Sequence, residues 1–582
     1  MRVVLGITDG DDAGAVLLVD GRLVAAVNEE RLNRLKMSIG FPRLAVREVL
    51  RLGGLTPADV DHVAMAAQTE VHVPVSKANK GWFARASTMG RIRNEISSAL
   101  VRPLGEFPWA IKGYRVLKRM TMGRRRGGVR KALSELGVSA PISYHEHHRC
   151  HALAAYEQSG FEDAVSISLD GGGDGRCSHV WVFEDSTDRL LNTVDSLHSI
   201  GNFYAYVTHL CGYRAAIHEG KITGLAASGE PRYQDIFRQL ITYSDGQIKN
   251  VGRVYHNSAI NTLRTMLPAD WEHQDLAASI QNHLEDVALQ YIRHWVKQSG
   301  KRNVCLSGGV FANVLLNQRI ADLPETDRVF IYPAMGDGGI AAGAAFSAWR
   351  GFQNGRTSRE DSFLPHAYLG AAFTDDEIEK ELRSAGVEYR KSPDIEDESA
   401  ALIHAGRVVA RFNGGMEFGP RALGNRTIMY QTKDPSVNNW LNKRLQRTEF
   451  MPFAPACLAG HEEELFHWNQ ASARAARFMT ITLACSDWMK EHCPAVVHVD
   501  GTARPQIVDA DTNPSFHRII KRYHERSGIP VIVNTSFNMH EEPIVCTPSD
   551  AIRAWKMSRL DNLAIGSFLV GPPLNGDGAE SE

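Results

Sequence analysis

The stretch YHEHHRCHALAAY, residues 144 to 156, holds His145, His147, His148 and His151 within seven positions. At the chain's overall histidine frequency such a window should hold about 0.3. Neutral imidazole is a transition-metal ligand, and His147 and His151, four apart, share one face of a helix. The residues from Cys150 to Phe161 are good helix material, so the spacing predicts two imidazoles aimed at one ion. Nineteen residues past His151 an apolar run ends in SLDGGGDG, where Asp170 stands on a glycine turn. Histidine clusters also occur on solvated surfaces; the carboxylate on a turn suited to phosphate is what favours a metal site.

Other glycine turns fit an anion. LSGGVFAN puts the backbone N–H groups of Gly308 and Gly309 at a helix start. GKITGLAASGE contributes Lys221, Gly224 and Gly229, and MGDGG sets Asp337 between glycines, as a fourth metal ligand, a contact to a magnesium nucleotide or a plain N-cap. The C-terminal part is arginine-rich in a different way. EFGPRALGNRTI presents Arg421 and Arg426, NKRLQRTEFMPFAP presents Lys443, Arg444 and Arg447, and HVDGTARPQIV presents Arg504. These cations sit in turn-like, apolar-flanked contexts, and guanidinium forks match phosphate oxygens. They point to a small phosphorylated substrate in preference to dispersed surface ion pairs.

Residues 2–30 and 164–191 resemble each other and must position these groups. Each reads as strand, Gly/Asp turn, strand, acidic turn, strand. Such a duplicated start suits the actin/hexokinase-like nucleotide fold, whose two turns face each other across a cleft. Residues 276–300 place Ile280, Leu284, Val287, Tyr291 and Trp295 on one helical face, with Gly300 as the stop. VCLSGGVFANVLLN and VFIYPAMGDGGIAAGAAFSAW each read strand, glycine turn, helix. The polar stretch 353–362 reads as a linker, and the composition changes past it, so a domain boundary is expected near residue 360.

The chain has 582 residues, enough for two or more domains, with 65 Lys and Arg against 67 Asp and Glu. The whole molecule is therefore not tuned for a polyanion. Between Ser76 and Lys131, however, fifteen Lys or Arg face only Glu95 and Glu106. The aromatics Trp82, Phe83, Phe107, Trp109 and Tyr114 favour an insertion forming one wall of an acceptor pocket; RRRGG at 124–128 keeps phosphate or RNA contact open. Eight scattered cysteines form no Cys-x-x-Cys pair, which suits a reducing cytoplasm. The N-terminus turns polar after seven residues and no apolar run reaches eighteen, so neither a signal peptide nor a membrane span is expected.

The motifs EHHRCHALAAY, SLDGGGDG, EGKITGLAASGE, LSGGVFANVLLN, GDGGIAAGAA, EFGPRALGNR, HVDGTARPQ and NTSFN…EPIV follow one another in this order. On them the chain resembles the nodulation-factor and cephamycin O-carbamoyltransferases along nearly its whole length. The resemblance implies an α/β protein: residues 1–355 as a duplicated actin/hexokinase-like (TsaD-like) domain carrying the 76–131 insertion, 364–572 as a YrdC-like α/β domain, and 573–582 as a tail. It implies carbamoyl phosphate and ATP (with Mg2+) as substrates of the second domain, a carbamoyl-adenylate intermediate, and transfer in the first domain to a hydroxyl of a small natural product beside Fe(II) or another divalent metal. By motif match His147, His151, Asp170 and Asp337 become metal ligands. Gly171, Gly172, Lys221, Gly224, Ser307, Gly308, Gly309, Asn313 and Gly336 fall at the nucleotide. Arg421, Arg426, Lys443, Arg444, Arg447, His498, Arg504 and Asn534 fall at carbamoyl phosphate and the ATP phosphates, with Arg421, Arg447 and His498 taking part in catalysis.

Three positions depart from that family's pattern. Asp11 stands where a histidine usually serves as acceptor base, and a carboxylate accepts a proton with a different reach and pKa. Leu445 and Met451 replace cations, for which Lys443 and Arg444 compensate, and Glu541 replaces a glycine. A tRNA acceptor, a sugar kinase of the same fold and a non-catalytic ATP switch are the competing readings. The kinase explains the glycine turns but neither the histidines nor the arginines. The acceptor's identity and the oligomeric state have no readable code.

Overall fold

The computed structural model describes residues 1–69, 73–83, 123, 125–184, 187–353, 362–447 and 451–573. Most of the basic stretch 76–131, including Phe107, Trp109 and Tyr114, most of the linker 353–362 and all but Pro573 of the tail lie outside them. The chain divides into two compact units, Met1–Leu364 with Asn469–Ala475, and Pro365–Trp468 with Ala476–Glu582.

The first unit contains two five-stranded sheets. In one, β1 (Val3–Thr8), β2 (Gly14–Val19), β3 (Arg22–Asn28), β4 (His62–Ala66) and β5 (Ile142–His145) lie in the order β3-β2-β1-β4-β5. In the other, β6 (Asp163–Gly173), β7 (Arg176–Glu184), β8 (Thr187–Asp195), β9 (Asn303–Ser307) and β10 (Arg328–Ile331) lie in the order β8-β7-β6-β9-β10. In both, the first three strands form an antiparallel meander and the last two run parallel to the first. The two sheets thus share one strand order and one pattern of directions.

Between them lie two helices. Helix α1 (His147–Ser159) packs on the second sheet, and α6 (Ile340–Phe352) packs on β1, β2 and β4 of the first and on α1. Nearly every residue of α1 is buried, which is why it shows no polar face. The small residues of α6 set the approach. A Cβ on Gly343 would lie 1.7 Å from the Cys150 carbonyl oxygen, and one on Gly6 of β1 would lie 2.2 Å from that of Ala341. Outside this sandwich stand α2 (Ile200–Leu210), α3 (Glu219–Ala226), the long α4 (His273–Ser299) and α5 (Val314–Ala321). Helix α4 buries Ile280, Leu284, Val287 and Tyr291 and ends at Gly300 in the left-handed conformation.

The second unit is built on one eight-stranded mixed sheet. Its strands are β11 (Tyr389–Lys391), β12 (Val409–Phe412), β13 (Arg426–Tyr430), β14 (Ala454–Leu458), β15 (Gln506–Val508), β16 (Val531–Ser536), β17 (Asn562–Ile565) and β18 (Phe568–Val570). They lie in the order β11-β18-β17-β12-β13-β16-β14-β15. Helices α7 (Ile395–His404) and α8 (Pro514–Ser527) pack against each other. Among the described residues no helix is long and apolar enough to cross a membrane.

A buried ion pair ties the stretch that follows residue 124 to the first sheet. Arg125 donates from Nη2 to Asp9 Oδ1 at 2.5 Å and from Nε to Oδ2 at 3.3 Å, with both side chains almost wholly buried. The same guanidinium donates to the carbonyls of Ala66 and Ala67 at the end of β4. Removing one member of such a pair leaves an uncompensated buried charge, a loss of about 3–5 kcal/mol. Arg125→Ala should lower the urea midpoint of the first unit accordingly, followed by far-UV circular dichroism; a midpoint equal to the parent's would show the pair to be dispensable.

Candidate metal centre

Helix α1 begins at His147 because Glu146 caps it, accepting from the Arg149 backbone N–H at 2.6 Å. One turn later His151 follows on the same face, and both imidazoles are fully buried. Asp170 lies near the end of β6 and Asp337 opens the turn before α6. The structure brings all four together. His151 Nε2 lies 3.2 Å from Asp170 Oδ2 and 3.4 Å from Asp337 Oδ1. His147 Nε2 lies 4.0 Å and 3.5 Å from the same two oxygens. One donor atom from each residue falls within 4.8 Å of every other.

Close packing holds the donors in place. A Cβ on Gly173 would meet the His147 ring at 2.2 Å. His151 Nδ1 is 2.9 Å from Ser307 Oγ, and the Gly171 N–H donates to Asp170 Oδ1 at 2.6 Å. Such outer partners orient metal ligands. Burial alone would push the Asp170 carboxyl up and the His151 imidazole down; for Asp170 this is outweighed by His147 and His151, and for His151 by Asp170 and Asp337. Asp170 ends well below the usual carboxylate range and His151 above its usual value. His151 Nε2 and Asp170 Oδ2 are buried without a hydrogen bond of good geometry. Two imidazole nitrogens and two carboxylate oxygens facing one point fit a divalent transition metal.

The other two histidines of the cluster do different work. His148 is buried with Nδ1 on Ser168 Oγ and Nε2 on the Arg176 carbonyl, and burial holds it well below its usual pKa. His145 joins Ser143 and, through it, His62. Asp174, four residues past Asp170, was not singled out by its pattern. Its carboxylate accepts from the backbone N–H groups of Gln68, Thr69 and His147, at 2.7 to 2.9 Å, and so pins the start of α1 to the loop after β4. A second missed carboxylate is Asp12. Asp11, the expected base, is exposed on the first turn, whereas Asp12 beside it is half-buried. A Cβ on Gly338 would lie 2.3 Å from Asp12 Oδ2, so this carboxylate packs on the Asp337 turn. Burial first, then Glu30, pushes its pKa well up, with Arg31 opposing and Asp337 adding.

The glycine turns meet the same centre. Gly308 adopts φ 114°, and a Cβ there would lie 2.3 Å from the Leu169 carbonyl oxygen; only glycine fits. A Cβ on Gly309 would lie 3.1 Å from Asp170 Oδ1, whereas one on Gly336 would meet open space. Gly171 and Gly172 continue the Asp170 turn. Lys221 and Gly224 are buried in α3, with the Lys221 ammonium 5.5 Å from the Tyr213 ring centre. Asn313 corrects its expectation as a nucleotide ligand: its Oδ1 caps α5 through the Leu316 N–H and accepts from Gln281, to which its own amide donates in return.

In the second unit two further expectations need correction. Arg426 is fully buried, and its four Nη hydrogens go to the carbonyls of Ala371, Asn413, Gly414 and Asn425. No fork remains for a phosphate. Asn534 is equally buried, between Thr427, Gln506 and the Ala422 carbonyl. Both are framework for the loop that carries Arg421. That loop wraps the buried Glu417 carboxylate, which accepts from the N–H groups of Leu423, Asn425 and Arg426. Arg421 itself is half-buried, as are Arg447 and Arg504. Arg447 donates to Thr535 Oγ1 and to the Ser536 and Asn538 carbonyls. His498 is buried with Nδ1 3.0 Å from Thr502 Oγ1, and burial, helped by Arg504 and opposed by Asp500, lowers its pKa to about 4. Lys443 is exposed, and Arg444, also exposed, lies 3.4 Å from Asp561.

A family model described as the carbamoyltransferase N-terminus matches residues 3–346, and one described as the carbamoyltransferase C-terminus matches 400–571. The chain belongs to the carbamoyltransferase family. It is 31% identical to nodulation protein NolNO of Sinorhizobium fredii over 96% of this chain and 78% of that protein. It is 30% identical to an uncharacterized Synechocystis protein, sll1178, over 98% of this chain and 97% of that one. The 3'-hydroxymethylcephem-O-carbamoyltransferase of Streptomyces clavuligerus is 24% identical over 66% of this chain and 72% of its own. The carbamoyltransferase is thus an enzyme of the nodulation-protein and cephem-carbamoylating group.

Two substitutions test the placements. Gly173→Ala drives a methyl into the His147 ring and should weaken divalent metal binding by about tenfold or more, read by Co(II) absorption titration of the folded protein; parent-like binding would detach His147 from the centre. Arg426→Ala strands four carbonyls, two of them buried, and should cost at least about 3 kcal/mol in the unfolding of the second unit, whereas Arg421→Ala should not. Equal losses would undo the distinction drawn between them.

Proposed function

We propose that this carbamoyltransferase uses ATP and carbamoyl phosphate to carbamoylate a hydroxyl of a small natural product through a carbamoyl-adenylate. The observation that carries the reading is the convergence of His147, His151, Asp170 and Asp337 next to the glycine turns at 171–172 and 308–309. The matched strand order of the two sheets supports an actin/hexokinase-like, TsaD-like first domain over 1–355; the mixed sheet of the second unit is consistent with a YrdC-like domain over 364–572.

In this reading Arg421, Arg447 and Arg504, with Lys443 and Arg444 at the exposed side, neutralise the phosphates that leave as the carbamate is adenylated. His498, held neutral, is a hydrogen-bonding partner there. Gly171, Gly172, Gly308, Gly309 and Gly336 let backbone N–H groups approach the nucleotide phosphate, with Ser307 holding the His151 tautomer. A divalent cation such as Fe(II), when bound by the two imidazoles and two carboxylates, supplies Lewis-acid polarisation of the carbamoyl oxygen. Asp11, at the open side of the first turn, takes the acceptor's proton, with Asp12 behind it buttressing the Asp337 turn. Exclusion of water matters because carbamate decomposes in it.

His147→Ala should abolish transfer of labelled carbamoyl to a hydroxylated acceptor while leaving ATP–pyrophosphate exchange with carbamoyl phosphate within about twofold of the parent. Retained transfer would remove the metal centre from the reaction; loss of both half-reactions would contradict their division between separate sites.

A further inference from the structure

The edge of the first sheet carries a cavity of about 750 Å3 that none of the chemistry above uses. It lies between the helix over 125–135 and the edge strand β5. Side chains alternate along β5. Ser143 and His145 join His62 in one hydrogen-bonded chain, while Ile142 and Tyr144 line the cavity. Leu133 and Val138 add apolar lining, and Arg126 and Arg130, one helical turn apart, bring two guanidinium groups.

Three observations give this cavity a chemistry. Neither Arg126 nor Arg130 makes a hydrogen bond or ion pair among the described residues. Tyr144, whose hydroxyl is buried, forms part of the wall. Its ring lies 5.2 Å from the Arg126 guanidinium carbon on one hand and 5.5 Å from that of Arg125 on the other. Uncompensated positive charge around a concave, partly apolar wall concentrates anions. A carboxylate offers two oxygens, which a single guanidinium fork satisfies. Two forks offer donors for a third oxygen on the same centre.

We propose that this cavity binds the phosphate group of a phosphate monoester with an apolar or aromatic body, on residues other than those of the metal centre. Arg126 and Arg130 take the phosphate oxygens, and Leu133, Val138 and Ile142 receive the body, with the Tyr144 ring beside Arg126. The volume is that of a small-ligand site. The site adjoins Arg125, whose grip on Asp9 fixes the turn bearing Asp11, so its occupant sits one residue from the anchor of that turn.

Calorimetric titration of the full chain with phenyl phosphate, inorganic phosphate and benzoate tests this. Phenyl phosphate should bind more tightly than either of the others, since inorganic phosphate lacks the body and benzoate the third oxygen. Arg126→Gln with Arg130→Gln should weaken phenyl phosphate by about tenfold or more. Both arginines are exposed, so the fold should tolerate the change; the single Arg130→Glu variant gives the same readout should the double variant misfold. Phenyl phosphate binding unaltered in these variants, or benzoate binding as tightly, would overturn the site. Failure of the carbamoyl-transfer reading would leave this result untouched, because the titration needs neither ATP nor an acceptor.

Discussion

Two carboxylates, Asp170 and Asp337, point their oxygens at the same two imidazoles in a place that hydrogen bonds of good geometry do not fill. Gathering like charges in a low-dielectric interior is costly unless a counter-charge sits between them. The first unit of the carbamoyltransferase is arranged around that requirement. The ligands come from the start of α1, the end of β6 and the turn before α6, and each of those ends is fixed independently. Gly173 admits the His147 ring, Gly308 admits the turn beside Leu169, and Ser307 fixes the far nitrogen of His151. The small residues of α6 let that helix cross α1 closely enough for the Asp337 turn to reach the imidazoles.

The fixing extends across both sheets. Asp9 holds Arg125, Arg125 holds the carbonyls at 66–67, and Asp174 takes the N–H groups at 68–69 and that of His147. A continuous polar chain therefore runs from the first strand's turn to the first metal-facing histidine. Two of its members, Ala67 at φ 62° and Asp174 at φ 50°, hold left-handed backbone without being glycine. Such conformations persist where surrounding contacts over-determine them, and they concentrate at functional sites. The second unit uses the same device with opposite signs, a buried Glu417 collecting N–H groups and a buried Arg426 collecting carbonyls, to shape the loop that presents Arg421.

What the amino-acid sequence determined by itself is local and periodic. The His-x-x-x-His spacing, the strand–turn–strand pairs at 2–30 and 164–191, and the apolar face of 276–300 depend on repeats of 3.6 and 2 residues, which neighbouring side chains alone dictate. The tertiary structure decided which polar groups are spent. Arg421 and Arg426 stand five apart in one motif, yet Arg426 lies on a central strand where burial forces its guanidinium onto carbonyls, while Arg421 stays half-buried. Asn313 became a cap, Asp12 the half-buried neighbour of Asp11, and Asp174 the latch of α1, because hydrogen-bond partners come from residues tens or hundreds of positions away. A local pattern states what a side chain can do; burial, which is a property of the whole packed chain, settles whether any of that capacity is left for a ligand.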